Sequence, residues 1–411
     1  MSKLRVGVFH PGTQHSWQTA LAFQESDQLV WYATSIFYDP AIWPYRLERM
    51  VPPGLGKRLH RDFQRRYLPA LSPTLVRQFG YWEWAETIAR RLGAHQLADS
   101  ANERGNIAFG KRVIRLIERE PVDVVWGYNT SALEVFRWAK PRGIRCVLDQ
   151  TIGHCASFDR VMAREYACHP QFFLRPHAAL PPSAVERQNE ELALADVVVV
   201  GSDSCAGTLI ENGCAPEKIR IVPYGYDESV FPALMPERRP MPDRPVEFLF
   251  VGQIHPRKGI AHLLRAFDQI PSSAAKLTLV GGLAVPTTAL EPYRHRVRHI
   301  NSLPRSEVVA HFLAADCFIF PSLFEGSAIV LNEAIGAGLG IIQSRAAGDG
   351  VRDGANGEVI DEISADHIVQ AVSRALDARQ RLLTWQEASW EQRMSRTWGG
   401  YRRHIGELPM P

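Results

Sequence analysis

The chain has 411 residues, 45% of them hydrophobic and 22% charged. About 150 residues per domain predicts two or three domains, and this composition excludes a disordered or fibrous chain. A formal charge of only +3 excludes a strong whole-chain nucleic-acid footprint. Thirty Gly and 28 Pro are scattered without a period, which excludes collagen-like sequence. No uncharged apolar run reaches the roughly 18 residues that a membrane helix needs. The N-terminus, MSKLRVGVFH, reads as a strand rather than a signal peptide. Cys146, Cys155, Cys168, Cys205, Cys214 and Cys317 form no CxxC pair, which suits a reduced, cytosolic chain.

Along the chain, short runs rich in Val, Ile and Leu recur, each followed by a helix-like stretch. The first is Leu4–Phe9. It runs into His10–Trp17 (HPGTQHSW), where Gly12 permits a tight turn at the carboxyl end of a strand. Tyr38–His95 then breaks the rhythm. Lys and Arg exceed Asp and Glu there, aromatics are interleaved, and Lys57–Leu68 reads as a basic amphipathic helix. Two readings of this insertion stand: a solvated helical insertion packed on the first domain, or a site that attracts anionic acceptor or membrane groups. Further runs are Val122–Trp126, Cys146–Leu148, Val197–Val200, Phe248–Val251, Leu277–Val280, Cys317–Phe320 and Gly340–Gln343. Continuous apolar runs alternating with amphipathic segments predict parallel strands in doubly wound α/β sheets. The Pro-rich, charged stretch Phe231–Pro245 reads as a linker. The expected organisation is a first Rossmann-like domain over 1–230, with its insertion at about 38–95, and a second over 245–385. The stretch 386–411 is expected to end in a helix returning to the first domain.

Three segments can carry chemistry. In Phe318–Ser344 a buried strand ends at Pro321, and a polar loop leads to a helix expected over Ser327–Ala337. Glu325 precedes that helix and Glu333 lies within it, eight positions on. At ~1.5 Å rise per residue the carboxylates stand roughly 10–12 Å apart along the axis. That is too far for a glycosidase pair but suits two grips on one extended ligand. Amides near Gly326, Ser327 and Ala328 are placed to meet an anion. In Val251–Gly259 (VGQIHPRKG), Arg257 and Lys258 sit just before a helix, where positive charge is unfavourable without an anion partner. A phosphate would supply that partner. His154, in LDQTIGHC beside Asp149, Gln150 and Thr151, follows a third strand and is either structural or catalytic. The sequence has no GxGxxG, P-loop, Asp-x-Asp or clustered His/Cys set, so no dinucleotide cofactor and no metal site are expected.

Together, Phe248–Gly259, Pro321–Glu333 and Ala195–Phe231 resemble the retaining GT-B glycosyltransferases of glycosyltransferase family 4. The first resembles that family's glycine–lysine loop and the second its E-x7-E element. In the third, PYGYD stands for the usual Pro-Asn-Gly-Val-Asp. Ser389–Glu391 (SWE) is similar to a C-terminal motif of the family. The resemblance implies two Rossmann-like domains facing a cleft. It also implies a nucleotide-diphosphate sugar as donor and a glycan or lipid-linked acceptor, with cell-surface polysaccharide or lipopolysaccharide as the context. It puts Lys258 on the donor diphosphate, and Glu325 with Gly326, Ser327, Ala328 and Ile329 on the sugar and phosphate. Glu333 falls on the nucleotide ribose, Gly12 and Thr13 on a donor-facing loop, and His154 near the reacting sugar. Gln253 stands where the family usually has Arg. Either Arg257 compensates for the missing charge, or leaving-group stabilisation is weaker.

The implied enzyme is a metal-independent, EC 2.4-class transferase. It would be cytoplasmic, at or near the inner membrane face, with no nucleic-acid partner. Three rivals fit parts of the pattern. They are another GT-B enzyme such as an epimerase or phosphorylase, a catalytically silent nucleotide-sugar binder, and a nicotinamide-dependent dehydrogenase.

Overall fold

The computed structural model describes residues 3–12, 15–39, 45–46, 50–52, 54, 56, 60, 68–79, 95–237 and 244–409. Most of the basic insertion, including all but His60 and Leu68 of the expected helix Lys57–Leu68, lies outside these residues, as does Thr13. Thirteen strands are described: β1 Val6–His10, β2 Leu29–Thr34, β3 Val76–Gln78, β4 Val124–Tyr128, β5 Arg145–Gln150, β6 Val197–Val200, β7 Ile219–Ile221, β8 Val246–Val251, β9 Ala275–Val280, β10 Val297–Ile300, β11 Cys317–Phe320, β12 Gly340–Ser344 and β13 Gly357–Ile360. They form two sheets, ordered β3-β2-β1-β4-β5-β6-β7 and β10-β9-β8-β11-β12-β13. Every registered pair is parallel. In each sheet the order reverses once, between β1 and β4 and between β8 and β11. This is the doubly wound arrangement, which opens a crevice at the strands' carboxyl ends where the order reverses.

The chain divides into two compact units. One comprises Met1–Gln150, Glu186–Val199 and Arg402–Pro411; the other comprises Thr151–Val185 and Val200–Tyr401. His154 therefore shares a unit with Lys258 and Glu325. In the first unit the end of the chain is tied down by Arg402, which donates to Glu25 Oε2 at 3.0 Å and to Gln18 Oε1 at 2.9 Å. Among the described residues, no helix is long and apolar enough to cross a membrane. All six cysteines are free thiols.

Apolar periodicity accounts for the packing of the second unit. The helix Ile260–Gln269 buries Ile260, Ala261, Leu263, Leu264, Ala266 and Phe267, a stripe at 3.6-residue spacing laid on the sheet. Phe267 meets Phe248 of β8 edge-on at 5.5 Å, and Phe250 stacks on Phe320 of β11 at 5.4 Å. Truncating one such buried Phe to Ala typically costs about 3–5 kcal/mol.

Two glycines let loops at the carboxyl ends of the strands approach one another, Gly259 at the reversal point and Gly281 between β9 and β8. Gly259, at φ +68°, opens the helix Ile260–Gln269, and a Cβ there would stand 2.1 Å from the Pro321 carbonyl oxygen. Gly281, at φ +153°, would place a Cβ 1.9 Å from the Gly252 carbonyl oxygen. Gly259→Ala must therefore both strain the left-handed backbone, by about 1–3 kcal/mol, and push the β8 and β11 loops apart. Thermal unfolding of this variant is expected several degrees below the wild type. An unchanged midpoint would refute the close approach.

Candidate active site

The loop after β8 runs through Gly252 into the 3-10 turn Pro256–Lys258. His255 caps that turn, its Nδ1 accepting from the Arg257 amide at 3.0 Å. The loop after β11 carries Ser322 and Glu325. The two loops meet at Glu325, where the strand order reverses. Arg257 Nη1 donates to Glu325 Oε2 at 2.8 Å and to the Phe324 carbonyl at 2.8 Å. Lys258 Nζ pairs with Glu325 Oε1 and sits 4.9 Å from the centre of the Phe320 ring. Ser322 Oγ lies 2.7 Å from Glu325 Oε1. Two cations and one hydroxyl thus converge on one largely buried carboxylate.

The electrostatics follow from this convergence. Burial alone would raise the Glu325 pKa, but Lys258, Arg257 and the hydrogen bonds from Lys258 and Ser322 hold it below the usual carboxylate range. Burial lowers the Lys258 pKa, with Glu325 opposing that shift and Arg257 adding to it. Burial first, then Arg257 and Lys258, push His255 down to about 4. The cluster carries net positive charge in an enclosed place, which is a setting for an anion. The anion partner that the sequence demands for Lys258 is supplied in the resting fold by Glu325.

The helix after β11 begins at Ile329 and ends at Gly336, two residues later than the expected start at Ser327. Gly326, Ser327 and Ala328 therefore form its approach. Gly326 lies against the backbone of Thr151 and Ile152, where a Cβ would stand 1.9 Å from the Thr151 carbonyl oxygen, and its own carbonyl accepts from Ser202 Oγ. The Ala328 amide already donates to the Ala347 carbonyl at 3.1 Å. Of the first-turn amides, that of Leu331 donates to the Ala328 carbonyl at 2.9 Å, whereas those of Ile329 and Val330 have no partner within the helix. Glu333 stands on this helix and pairs with Arg305 at 2.8 Å. Burial nevertheless raises its pKa, Arg305 opposing and Asp227 adding. Nothing in the sequence pattern paired Arg305 with Glu333; Arg305 is the first residue of the helix Arg305–Ala314, which follows β10. Gln253 is exposed on the β8 loop.

His154 is fully buried. Its Nδ1 accepts from the Ala156 amide at 3.2 Å and so caps the helix Cys155–Cys168, while its own amide donates to Thr208 Oγ1 at 3.0 Å. In this structure the residue holds a helix end.

In the first unit, a separate polar cluster lies at the ends of β1, β4 and β5. His15 Nε2 is 3.2 Å from Asp149 Oδ2, and Trp126 Nε1 donates to the same oxygen at 3.3 Å. Asp149 is fully buried, and its Oδ1 makes no hydrogen bond. The Gly12 amide donates to His10 Nδ1 at 3.0 Å, and burial holds the His10 pKa down at about 4. The sequence pointed to this strand end through Gly12, but not to the His15–Asp149 pair, whose members are 134 residues apart.

The His255 shift has a measurable sign. An ordinary imidazole titrates at about 6.5. Between pH 6.5 and 4 the unfolded chain takes up a proton that folded His255 refuses. Stability therefore falls as pH drops through that window and is unaffected by this group above it. His255→Asn keeps a capping side chain and removes the proton. Urea midpoints measured at pH 7 and pH 5 should lie closer together in His255→Asn than in the wild type. An equal loss in both would remove His255 from the account.

Residues 234–392 match the family described as Glycosyl transferases group 1. D-inositol 3-phosphate glycosyltransferase of Corynebacterium glutamicum is 27% identical over 259 residues, covering 57% of this chain and 62% of that protein. MMP alpha-(1->4)-mannosyltransferase of Mycolicibacterium hassiacum is 28% identical over 196 residues, 46% of each chain. The chain spans about half the length of the curated relatives it matches. Likeness in fold covers nearly the whole chain. Sucrose-phosphate synthase from Thermosynechococcus elongatus superposes with a TM-score of 0.67 at 16% identity, covering 99% of this chain and 98% of that one. Anabaena HepE in complex with UDP gives 0.60 at 14%, covering 98% and 99%. Residues 234–392 are thus similar to a glycosyl transferases group 1 domain, in a chain with the two-sheet GT-B fold.

Proposed function

We propose that the protein is a glycosyltransferase that moves a sugar from a nucleotide diphosphate to an acceptor hydroxyl with retention and without a metal at the donor. The observation that carries this reading is the convergence of Lys258, Arg257 and Glu325 at the reversal point between β8 and β11. The chemistry follows from the charges. The anomeric C–O bond breaks as negative charge gathers on the leaving diphosphate. Lys258, Arg257 and the amides of Ile329 and Val330 stabilise that charge from fixed positions. Arg257 thereby supplies the cation that Gln253 lacks. Glu325 passes from its salt bridges to the hydroxyls of the transferred sugar as phosphate takes over the two cations. The acceptor oxygen attacks on the face from which the phosphate leaves, and its proton goes to a phosphate oxygen. Glu333 takes the ribose.

The acceptor in this reading is an anionic, phosphorylated or lipid-linked glycan reached at the cytoplasmic membrane face, in the assembly of cell-surface polysaccharide or lipopolysaccharide. The basic residues between Tyr38 and His95 support it. So do the relatives named D-inositol 3-phosphate glycosyltransferase, whose name carries a phosphorylated polyol.

A thermal-shift screen of UDP, GDP, ADP and CMP compounds identifies the donor. A ligand at 100 times its Kd stabilises by about 2.7 kcal/mol. With the donor known, Lys258→Ala should lower kcat roughly 10²–10³-fold while weakening donor binding far less. Glu325→Gln should also cost turnover. It leaves two cations without their counter-charge, which destabilises the ligand-free protein, so the nucleotide diphosphate should raise its melting temperature more than it raises that of the wild type. Glu333→Ala should mainly weaken nucleotide binding. Near-normal kcat in both Lys258→Ala and Glu325→Gln would overturn the mechanism.

The insertion has its own test. Replacing Arg61, Arg65 and Arg66 together by Ser should raise the KM for the acceptor and reduce binding to anionic liposomes, with donor binding unchanged. Acceptor kinetics and liposome binding equal to the wild type would make the segment a structural insertion.

A further inference from the structure

We propose that Glu165, His169 and His262 form a binding site for a single zinc ion, separate from the donor cluster. The sequence shows no clustered ligand set, but folding assembles one. Glu165 and His169 are one helical turn apart at the end of the helix Cys155–Cys168, joined by the His169 amide donating to the Glu165 carbonyl at 2.8 Å. His262 comes from the first turn of the helix Ile260–Gln269. One ligating atom from each of the three lies within 4.8 Å of the others. His262 Nε2 is 3.0 Å from Glu165 Oε2, and the two imidazoles meet edge to face at 4.8 Å.

The polar accounting points to a missing partner. Glu165 and His169 are each only 5% exposed. Glu165 Oε1 and His169 Nδ1 are buried and make no hydrogen bond. An unpaired carboxylate oxygen and an unpaired imidazole nitrogen in one buried spot are costly. A cation that takes both removes the cost. Two imidazoles and one carboxylate are a zinc donor set, with the fourth position left to water. Ligand atoms around a tetrahedral zinc stand roughly 3.4 Å apart, so closure asks for side-chain shifts of about 1 Å. Arg265, exposed on the helix that carries His262, opposes a cation at His169. The single carboxylate must outweigh it.

The position gives such an ion a structural task. It would clamp together the far part of the helix that starts after His154 and the helix that starts after Lys258 and Gly259. Both helix starts lie beside the donor cluster, so the ion would stiffen that cluster's support without touching the diphosphate.

The test uses the full chain, freed of any affinity tag, stripped with a chelator and then desalted. Titration with Zn²⁺ against a chromophoric competitor should show one tight equivalent. Saturating zinc at about 100 times its Kd should raise the melting temperature by roughly 3–5 °C. X-ray absorption of the zinc-loaded protein should show nitrogen and oxygen ligands at about 2.0–2.1 Å, two of them imidazole. His262→Gln and Glu165→Gln should lose the tight equivalent, and Arg265→Ala should tighten it several-fold. The proposal is overturned if the wild type shows no tight equivalent. It is equally overturned if the absorption spectrum shows sulfur ligation at about 2.3 Å, or if folded His262→Gln binds zinc as the wild type does. The spectrum needs no variant, so a misfolded substitution leaves the decision intact.

Discussion

One buried carboxylate organises the second unit. Glu325 is held by Lys258, Arg257 and Ser322, and it keeps two cations from facing each other without a counter-charge. Desolvating such charges costs several kcal/mol per ion unless they are paired and hydrogen-bonded. The loops after β8 and β11 must therefore stay in register, and the glycines make this sterically feasible. Gly259 lets one loop lie against Pro321, Gly281 lets the next lie against Gly252, and Gly326 lets the second loop lie against Thr151. The parallel sheet adds the remaining condition, because its single reversal of strand order puts the ends of β8 and β11 side by side.

The same pairing connects structure to chemistry. A site that must take a diphosphate cannot leave its cations bare while empty. In the proposed mechanism, an internal carboxylate that a phosphate can displace provides a resting counter-charge and then becomes a sugar ligand. The cost of parting Glu325 from Lys258 is offset only when a stronger anion arrives. Under the proposed mechanism, this exchange would make donor binding selective for phosphate over neutral sugar. Support for the cluster extends outward through His255, which caps the turn before Lys258, and through His154, which caps the helix leading to Glu165.

Strands buried on both faces were legible in the sequence because their apolar runs are continuous. Val197–Val200 and Cys317–Phe320 are read without error, and β1, β4, β5, β8, β9 and β12 to within two residues. Of the five strands that are not among those apolar runs, four (β3, β7, β10 and β13) are the edges of the two sheets. Edge strands are half-exposed and polar, so the run breaks up. β2, with the sequence LVWYAT, is buried but is too brief an alternation of aromatic and aliphatic residues to stand out. The helix start after β11 moved from Ser327 to Ile329 because the approach residues are taken up by contacts to Thr151 and Ala347.

Chemistry that lies within one loop was equally legible. Arg257 with Lys258, and Glu325 with Glu333, are local patterns at strand ends, and their residue types and spacing alone suggest a phosphate and a polyol. Whatever depends on partners far apart in the chain was not. The pairing of Lys258 with Glu325 spans 67 residues, the His15–Asp149 contact 134 and the Glu165–His262 contact 97. The sequence by itself determined the alternation of strand and helix, and so the doubly wound class and the loops that could bind. Only the tertiary structure decided which charge neutralises which, that His154 is a buried cap, and that a carboxylate and two imidazoles share one pocket. The reason is physical: periodicity and turn chemistry act within a few residues, whereas charge pairing and desolvation depend on distances that exist only after the sheets close.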